Sequence, residues 1–216
     1  MCRLRANRQV SRRAVRVPKC SSGNGDDLLR HDEPMPTRSL NINDHRLELE
    51  TGDITRQAVD AIANAANSAL RGGGGVDGAI HREAGPGLLD ELVRRYPNGT
   101  PTGTAVDTSG HRLAARWVLH AVGPVWQGGS HGEGEQLAGA YQACLGLCER
   151  LGARSVAFPA ISMGIYGYPG DQGGRIAVHT VAEHLRGETS LDLVRFVLFS
   201  DETRALFDAA LDEEAR

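Results

Sequence analysis

The sequence predicts an α/β protein with a mostly parallel central sheet, and three observations carry that prediction. Apolar strand-like runs alternate with helical patterns from Leu47 onward, the order that a parallel sheet with crossover helices requires. The run Leu191–Phe199 has near-continuous apolar content, as expected of a strand covered on both faces. Two glycine-rich segments, Gly72–Gly78 and Ser162–Gly170, each follow a strand-like run. Ligands of such sheets bind beyond the carboxyl ends of the strands.

The elements follow in order. Arg46–Glu50 alternates and reads as a strand, and Val59–Ala63 is a short apolar run ending at Asn64. Val76–Ala84 and Gly87–Arg95 read as short helices, the second closed by Tyr96-Pro97-Asn98-Gly99. Thr104–Thr108 and Trp117–Val122 read as strands. Glu135–Leu151 is the clearest helix: Leu137, Tyr141, Cys144, Leu145, Cys148 and Leu151 recur at three- and four-residue spacing, with Gly152 just past the end. Ser155–Ile161 is a β-rich run containing Pro159, and Gly174–Leu185 is helical. Asp201–Glu214 closes the chain as an amphipathic helix. Ser200 is placed to cap it, and Asp201 and Glu202 suit the positive end of its dipole.

The 216 residues suffice for one substantial core. A net charge of −3 gives no bulk attraction to nucleic acid or membrane. No apolar run approaches the roughly 18 residues that a spanning helix needs. Cys144 and Cys148, one helical turn apart, read as packing residues, and Cys2 and Cys20 complete no metal-ligand pattern. A reducing, cytoplasmic location fits this usage.

Residues 1–39 are expected to be a basic arm preceding a folded unit at 40–216. The first twenty residues carry seven basic side chains and no acid, a charge of +7 against −10 for the rest. Ser11-Arg12-Arg13 has the look of a twin-arginine signal, but no apolar region or cleavage pattern follows it, so export is not expected. A flexible arm, a translation start at Met35 and an arm that touches nucleic acid are the readings left open here.

The stretch from Asn64 to His81 is the richest in chemistry. Two carboxamides, four consecutive glycines, one acid and one imidazole fall within it. A glycine loop opening into a helix offers free N–H groups and a positive dipole end, which suits phosphate. No Gly-Lys-Ser/Thr follows, so it is not a Walker loop, and the spacing is not that of a dinucleotide fingerprint. Asp77 and His81, four apart, share a helix face. They form either an ordinary ion pair or a positioned acid and imidazole beside bound phosphate. Asn64 and Asn67 suit ribose hydroxyls or an ordered water, and equally suit Asx turns.

The second loop, Ser162-Met163-Gly164-Ile165-Tyr166-Gly167-Tyr168-Pro169, can supply further N–H groups to a diphosphate, with Tyr166 against a sugar ring. It can equally be a strand-to-helix turn with tyrosines in the core. Asp53, after Gly52, can accept from an exocyclic amine or serve plain turn chemistry. His120 in an apolar strand, and His179 and His184 in a helix, have no metal-site spacing. No metal and no cofactor are expected.

Taken together, Gly52-Asp53-Ile54-Thr55, Asn64-Ala65-Ala66-Asn67, Gly72–His81, Ala84-Gly85, Thr102-Gly103, His120–Pro124 and Phe158–Pro169 resemble the macrodomain family. The likeness is to its MacroD-type branch of mono-ADP-ribosyl hydrolases and O-acetyl-ADP-ribose deacetylases. It runs from about Leu47 to the C-terminus. The resemblance implies a three-layer α/β/α fold with a mixed sheet and a cleft for ADP-ribose. Asp53 and the Ile54 backbone would hold the adenine. Gly74, Gly75, Val76 and Gly78 would grip the diphosphate from one side. Ser162, Met163, Gly164, Ile165 and Tyr166 would grip it from the other, with Tyr166 by the distal ribose. Asn67 and Asp77 would be the catalytic pair, supported by Asn64 and His81. The implied reaction is metal-independent ester hydrolysis at the distal ribose, of O-acetyl-ADP-ribose or of mono-ADP-ribosylated Asp and Glu in proteins. Asp77 would orient or deprotonate a water, with the ligand's own phosphate as a possible assistant. A carboxylate is a weak base at neutral pH, so position matters more than proton affinity. The chain departs from the family at Met163, where relatives often have Thr, and at Gln172-Gly173-Gly174. The Cys/His set of the zinc-dependent branch is missing. The alternatives are a reader that binds ADP-ribose without turnover and a hydrolase of ADP-ribosylated nucleic acid.

Overall fold

A computed structural model describes residues 36–216. The basic segment, Cys2, Cys20 and Met35 lie outside the described residues. Thirteen elements follow in order: β1 (Arg38–Ile42), β2 (His45–Thr51), a 3-10 turn (Ile54–Arg56), β3 (Ala61–Ala65), α1 (Gly75–Ala84), α2 (Pro86–Arg95), β4 (Thr104–Ser109), β5 (Trp117–Val122), α3 (Glu133–Leu151), β6 (Ser155–Phe158), α4 (Gly170–Arg186), β7 (Leu193–Leu198) and α5 (Asp201–Glu214).

One seven-stranded sheet has the order β1-β2-β7-β6-β3-β5-β4. The five inner strands are mutually parallel, and β1 and β4 close the edges antiparallel. The sheet is therefore mixed and mostly parallel, as expected. Side chains alternate between its faces. Leu47, Leu49, Ala61, Ala63, Leu119, Phe158 and Phe196 pack with α3, α4 and α5 in the larger core. Ile62, Val118, Ala157 and Val197 turn the other way and meet Ile80, Ala84 and Leu88 of α1 and α2. This is the three-layer α/β/α arrangement.

Four points of the sequence reading need correction. Strand β1, which reaches back to Arg38, was not anticipated, because Arg38-Ser39-Leu40-Asn41-Ile42 has too few apolar side chains to stand out. Strand β6 stops at Phe158 rather than running to Ile161, since Pro159 has no N–H for the ladder. Strand β7 ends at Leu198, which leaves Phe199 outside it. Its one charged residue, Arg195, bonds Glu48 at 2.8 Å and Gln57 at 2.7 Å across the sheet. Helix α4 starts at Gly170, four residues earlier than its apolar periodicity suggested, directly after Pro169. Ser200 caps α5 as anticipated, accepting from the Thr203 N–H.

Candidate active site

The carboxyl ends of β2, β3, β5, β6 and β7 open onto one cleft of about 1040 Å³. Thr51, Ala65, Gly123, Pro159 and Phe199 mark where these strands deliver the chain to it. Its size is at the upper end for a small-molecule site.

At one end, Asp53 caps the 3-10 turn. Its Oδ1 accepts from the Thr55 N–H at 2.9 Å and the Thr55 hydroxyl at 2.7 Å. Arg56 stands 3.5 Å from Oδ2. The Thr55 hydroxyl, chiefly, holds the Asp53 carboxyl below its ordinary range. Turn chemistry and a cleft position thus coexist in Asp53. Ile54 lines the same end, together with Phe199, Ser200 and Thr203. Phe199 is 96% exposed, an unusual posture for an aromatic ring in a folded protein.

Along the middle, the two glycine-rich segments face each other. Helix α1 begins at Gly75 with Gly74 as its N-cap, so Gly75, Val76, Asp77 and Gly78 form its first turn rather than a loop. Gly73, Gly74, Gly75 and Val76 line the cleft, and Ser162, Met163, Gly164, Ile165 and Tyr166 line the other wall. A Cβ on Gly74 would lie 3.3 Å from Ile165 Cδ1, so the walls come within reach of each other above the groove. Gly78 is not among the lining residues. A Cβ there would lie 2.7 Å from the Gly73 carbonyl oxygen, and only glycine permits that approach.

The second wall is braced from below. The wholly buried Tyr141 of α3 donates its hydroxyl proton to the Pro159 carbonyl at 3.2 Å and accepts from the Ile161 N–H at 3.1 Å. Burial pushes that phenol well up. The Trp126 N–H donates to the Tyr166 carbonyl at 2.9 Å, and the Trp126 ring meets Tyr168 edge-on at 4.8 Å. The Trp126 loop is in turn gathered by the buried Glu133. Its carboxylate accepts from the backbone N–H groups of Gln127 and Gly129 at 3.1 Å each, and of His131 at 2.6 Å. Burial raises the Glu133 pKa, but its own backbone N–H and these three donors outweigh it and the net shift is downward. Ser162 has φ +66° and a buried hydroxyl without a partner among the described residues.

At the far end lies the polar group. The Asn67 amide donates to the Gly72 carbonyl at 2.8 Å, which closes the first loop. Asp77 is 4% exposed. Its Oδ1 accepts from Asn64 Nδ2 at 2.7 Å, and His81 Nε2 stands 3.4 Å away. Asn67 and Asp77 line the cleft, whereas Asn64 and His81 stand behind Asp77 and do not line it. Asn64 also lies 3.1 Å from His120 Nδ1, and His120 Nε2 lies 2.9 Å from the Thr108 hydroxyl. Burial first, and then the neighbouring His81, push the His120 pKa down to about 3. His120, although it opens the His120–Pro124 segment, is weighed in the sequence only as a metal ligand and given no place in the site, and Thr108 reads as an ordinary strand residue. Phe199 was passed over because it reads as the last residue of its strand. Among the described residues, no three His, Cys, Asp or Glu side chains cluster to hold a metal. No helix among them is long and apolar enough to cross a membrane.

An α/β sheet whose strand ends carry two opposed glycine-rich walls, with an amide–carboxylate–imidazole group at one end, defines a protein built to hold an extended polar ligand. The chain belongs to the Macro domain family, whose description matches residues 63–177. It is 50% identical over 171 residues to an O-acetyl-ADP-ribose deacetylase of Salmonella gallinarum, covering 78% of this chain and 96% of that protein. It is 49% identical over 169 residues to an uncharacterized protein of Thermoplasma acidophilum, covering 76% of this chain and 86% of that one. Among solved structures it is similar to the Oceanobacillus iheyensis macrodomain with ADP, at TM-score 0.78 and 39% identity, covering 82% of this chain and 96% of that one. It is also similar to the Trypanosoma brucei macrodomain in complex with ADP-ribose, at TM-score 0.72 and 39% identity, covering 76% of this chain and 68% of that one.

Proposed function

We propose that this protein is an ADP-ribose-binding hydrolase of esters at the distal ribose. Its substrates on this reading are O-acetyl-ADP-ribose and proteins carrying mono-ADP-ribose on Asp or Glu. The observation that carries the reading is Asp77, with Oδ1 engaged by Asn64 and near His81, at the Asn67 end of a cleft walled by two glycine-rich segments. The deacetylase name of the Salmonella relative and the ADP-ribose complex of the Trypanosoma neighbour support it.

The ligand lies with its adenine toward Asp53, Ile54 and Phe199 and its diphosphate between the α1 N-terminus and residues 162–166. Free N–H groups and the helix dipole offset the phosphate charge there. The distal ribose meets Asn67 and Asp77. Asp77 Oδ2 faces Gly73, where a Cβ would sit 3.0 Å from it. Oδ1 is held from behind, so Oδ2 is the oxygen that orients a water. The water oxygen bonds to the ester carbonyl carbon and gives up its proton to Asp77 or to the ligand's phosphate. The bond from that carbon to the ribose oxygen then breaks, and the ribose oxygen takes a proton. The products are ADP-ribose and a carboxylic acid. No cofactor enters this scheme. The buried free thiols of Cys144 and Cys148 and the bacterial relatives support a cytoplasmic location.

The test is incubation with O-acetyl-ADP-ribose and with an ADP-ribosylated acidic protein, following ADP-ribose release. The wild type is expected to turn over both. Asp77→Asn is expected to lose about a hundredfold or more in kcat while still binding ADP-ribose by calorimetry. Tight binding by the wild type with product at background overturns the hydrolase reading in favour of a reader. Turnover confined to ADP-ribosylated nucleic acid overturns the substrate class.

A further inference from the structure

A line of buried polar groups runs from Asp77 away from the cleft, across three neighbouring strands. Asn64 on β3, His120 on β5 and Thr108 on β4 are each 0% exposed. Asn64 and His120 are direct partners in the β3–β5 register. Asn64 Nδ2 is 2.7 Å from Asp77 Oδ1 and 3.1 Å from His120 Nδ1, and His120 Nε2 is 2.9 Å from Thr108 Oγ1.

The donors and acceptors admit one assignment. A carboxamide nitrogen has two N–H groups. Here one points at the Asp77 carboxylate and the other at His120 Nδ1, which must therefore be the bare, accepting nitrogen. The ring proton then sits on Nε2 and is donated to the Thr108 hydroxyl. Rotating the amide by half a turn would set its oxygen against the carboxylate and a lone-pair nitrogen. The Asp77 carboxylate, which can only accept, fixes which end of the Asn64 amide faces it, and His120 Nδ1 holds the amide there by accepting its second N–H. The arrangement has a cost: Asn64 Oδ1 is buried without a partner among the described residues. Buried acceptors are seldom left so. Three apolar side chains would fill this part of the sheet without that penalty, so stability does not account for the line, whereas its end at the cleft carboxylate does.

We infer that His120 and Thr108 are positioning residues for Asp77, acting through Asn64 to fix its Oδ1 and so aim Oδ2 at the water. This rests on the hydrolase reading above. His120 stays uncharged in this role and moves no proton. Neither residue lines the cleft, so neither contributes to holding ADP-ribose.

Three variants test it: Thr108→Val, which removes only the terminal hydroxyl; His120→Leu, which removes the acceptor for Asn64; and His120→Gln, which restores one. His120→Leu is expected to lose about ten- to a hundredfold in kcat, with the Kd for ADP-ribose within about twofold of wild type. His120→Gln should recover part of that loss, and Thr108→Val should show a smaller one. Melting curves establish that each variant is folded. If His120→Leu does not fold, Thr108→Val and imidazole ¹⁵N spectra of the wild type decide, the spectra being expected to place the ring proton on Nε2. Unchanged kcat in the folded variants, with only the melting temperature lowered, overturns the inference and leaves the hydrolase reading standing. So does a ring proton on Nδ1. No product from the wild type overturns both.

Discussion

Met163 occupies the space that a side chain on Gly173 would need. A Cβ at Gly173 would lie 2.7 Å from Met163 Cε and 3.2 Å from its sulfur. One residue lines the cleft and the other belongs to α4 beneath it. Met163 and Gly173 are therefore a single packing solution, in which the longer side chain is matched by the missing one.

Gly173→Ala alone is expected to spare the fold, because Met163 is flexible and alanine favours the helix by up to about 1 kcal/mol. The displaced Met163 has the cleft to move into, so affinity for ADP-ribose should fall severalfold. Adding Met163→Ala should restore it. Calorimetric titration of the two single variants and the double gives the coupling directly, and additive effects would refute it.

Gly78→Ala and Gly164→Ala should part company. The first drives a Cβ to 2.7 Å from a backbone oxygen, whereas the second meets nothing within 4 Å. Urea denaturation should show a loss of roughly 1–3 kcal/mol for Gly78→Ala and a change within about 0.5 kcal/mol for Gly164→Ala. Equal effects would mean that α1 and the first loop are not locked together as described.

Acid should weaken the fold through His120. Its pKa falls from an ordinary 6.5 to about 3 in the folded chain. Below pH 6.5 the unfolded chain binds a proton that the folded chain refuses, so stability drops as pH falls through that window. The slope is up to about 1.4 kcal/mol per pH unit. Asp77, His81, Glu91 and Arg95 act on the same ring. Glu149 also loses stability on acidification: burial raises its pKa, but bonds from Thr189, Ser190 and His184 outweigh this and bring it to about 2 from 4.5. Its window lies below pH 4.5, so the interval from 6.5 to 4.5 reports mainly His120. His120→Gln should flatten the stability curve there, measured by urea melts at stepped pH.

Glu133→Gln should loosen the second wall at a distance. Gln keeps an oxygen for Gln127 and Gly129 but turns an NH₂ toward the His131 N–H, so one of three backbone donors loses its acceptor. The melting temperature should fall by a few degrees. Hydrogen exchange should quicken at Trp126, whose N–H bonds the Tyr166 carbonyl. Unchanged exchange there would separate Glu133 from the wall.

Much of this arrangement is legible in the amino-acid order. Glycines between a strand-like run and a helix placed both walls, because glycine permits positive φ and close backbone approach there. Leu137, Tyr141 and Cys144 placed α3 by their spacing. What escaped was whatever hydrophobic periodicity does not mark: weakly apolar strands and polar side chains whose role is set by the groups they face. Strand β1 shows only a half-polar alternation and is defined by its pairing with β2. His120 belongs to a recognisable segment but has no role until β3 and β5 lie side by side and set it opposite Asn64. Glu133 lies two residues before the expected helix start at Glu135, yet it is 2% exposed and gathers the loop before it. Of the two readings of Asp53, the turn chemistry is seen directly in its bonds to Thr55, and the same carboxylate borders the cleft.

The adjacency of β3 and β6, where Ala61 lies opposite Val156, has a consequence for how this chain matures. The two walls leave the sheet from neighbouring strands separated by about ninety residues of sequence, so neither is useful until that pairing has closed. Contacts of such long span form late and slowly. Competence to bind ligand is therefore a property of the completed sheet alone, and a bound ligand should protect residues 36–216 from proteolysis as one unit.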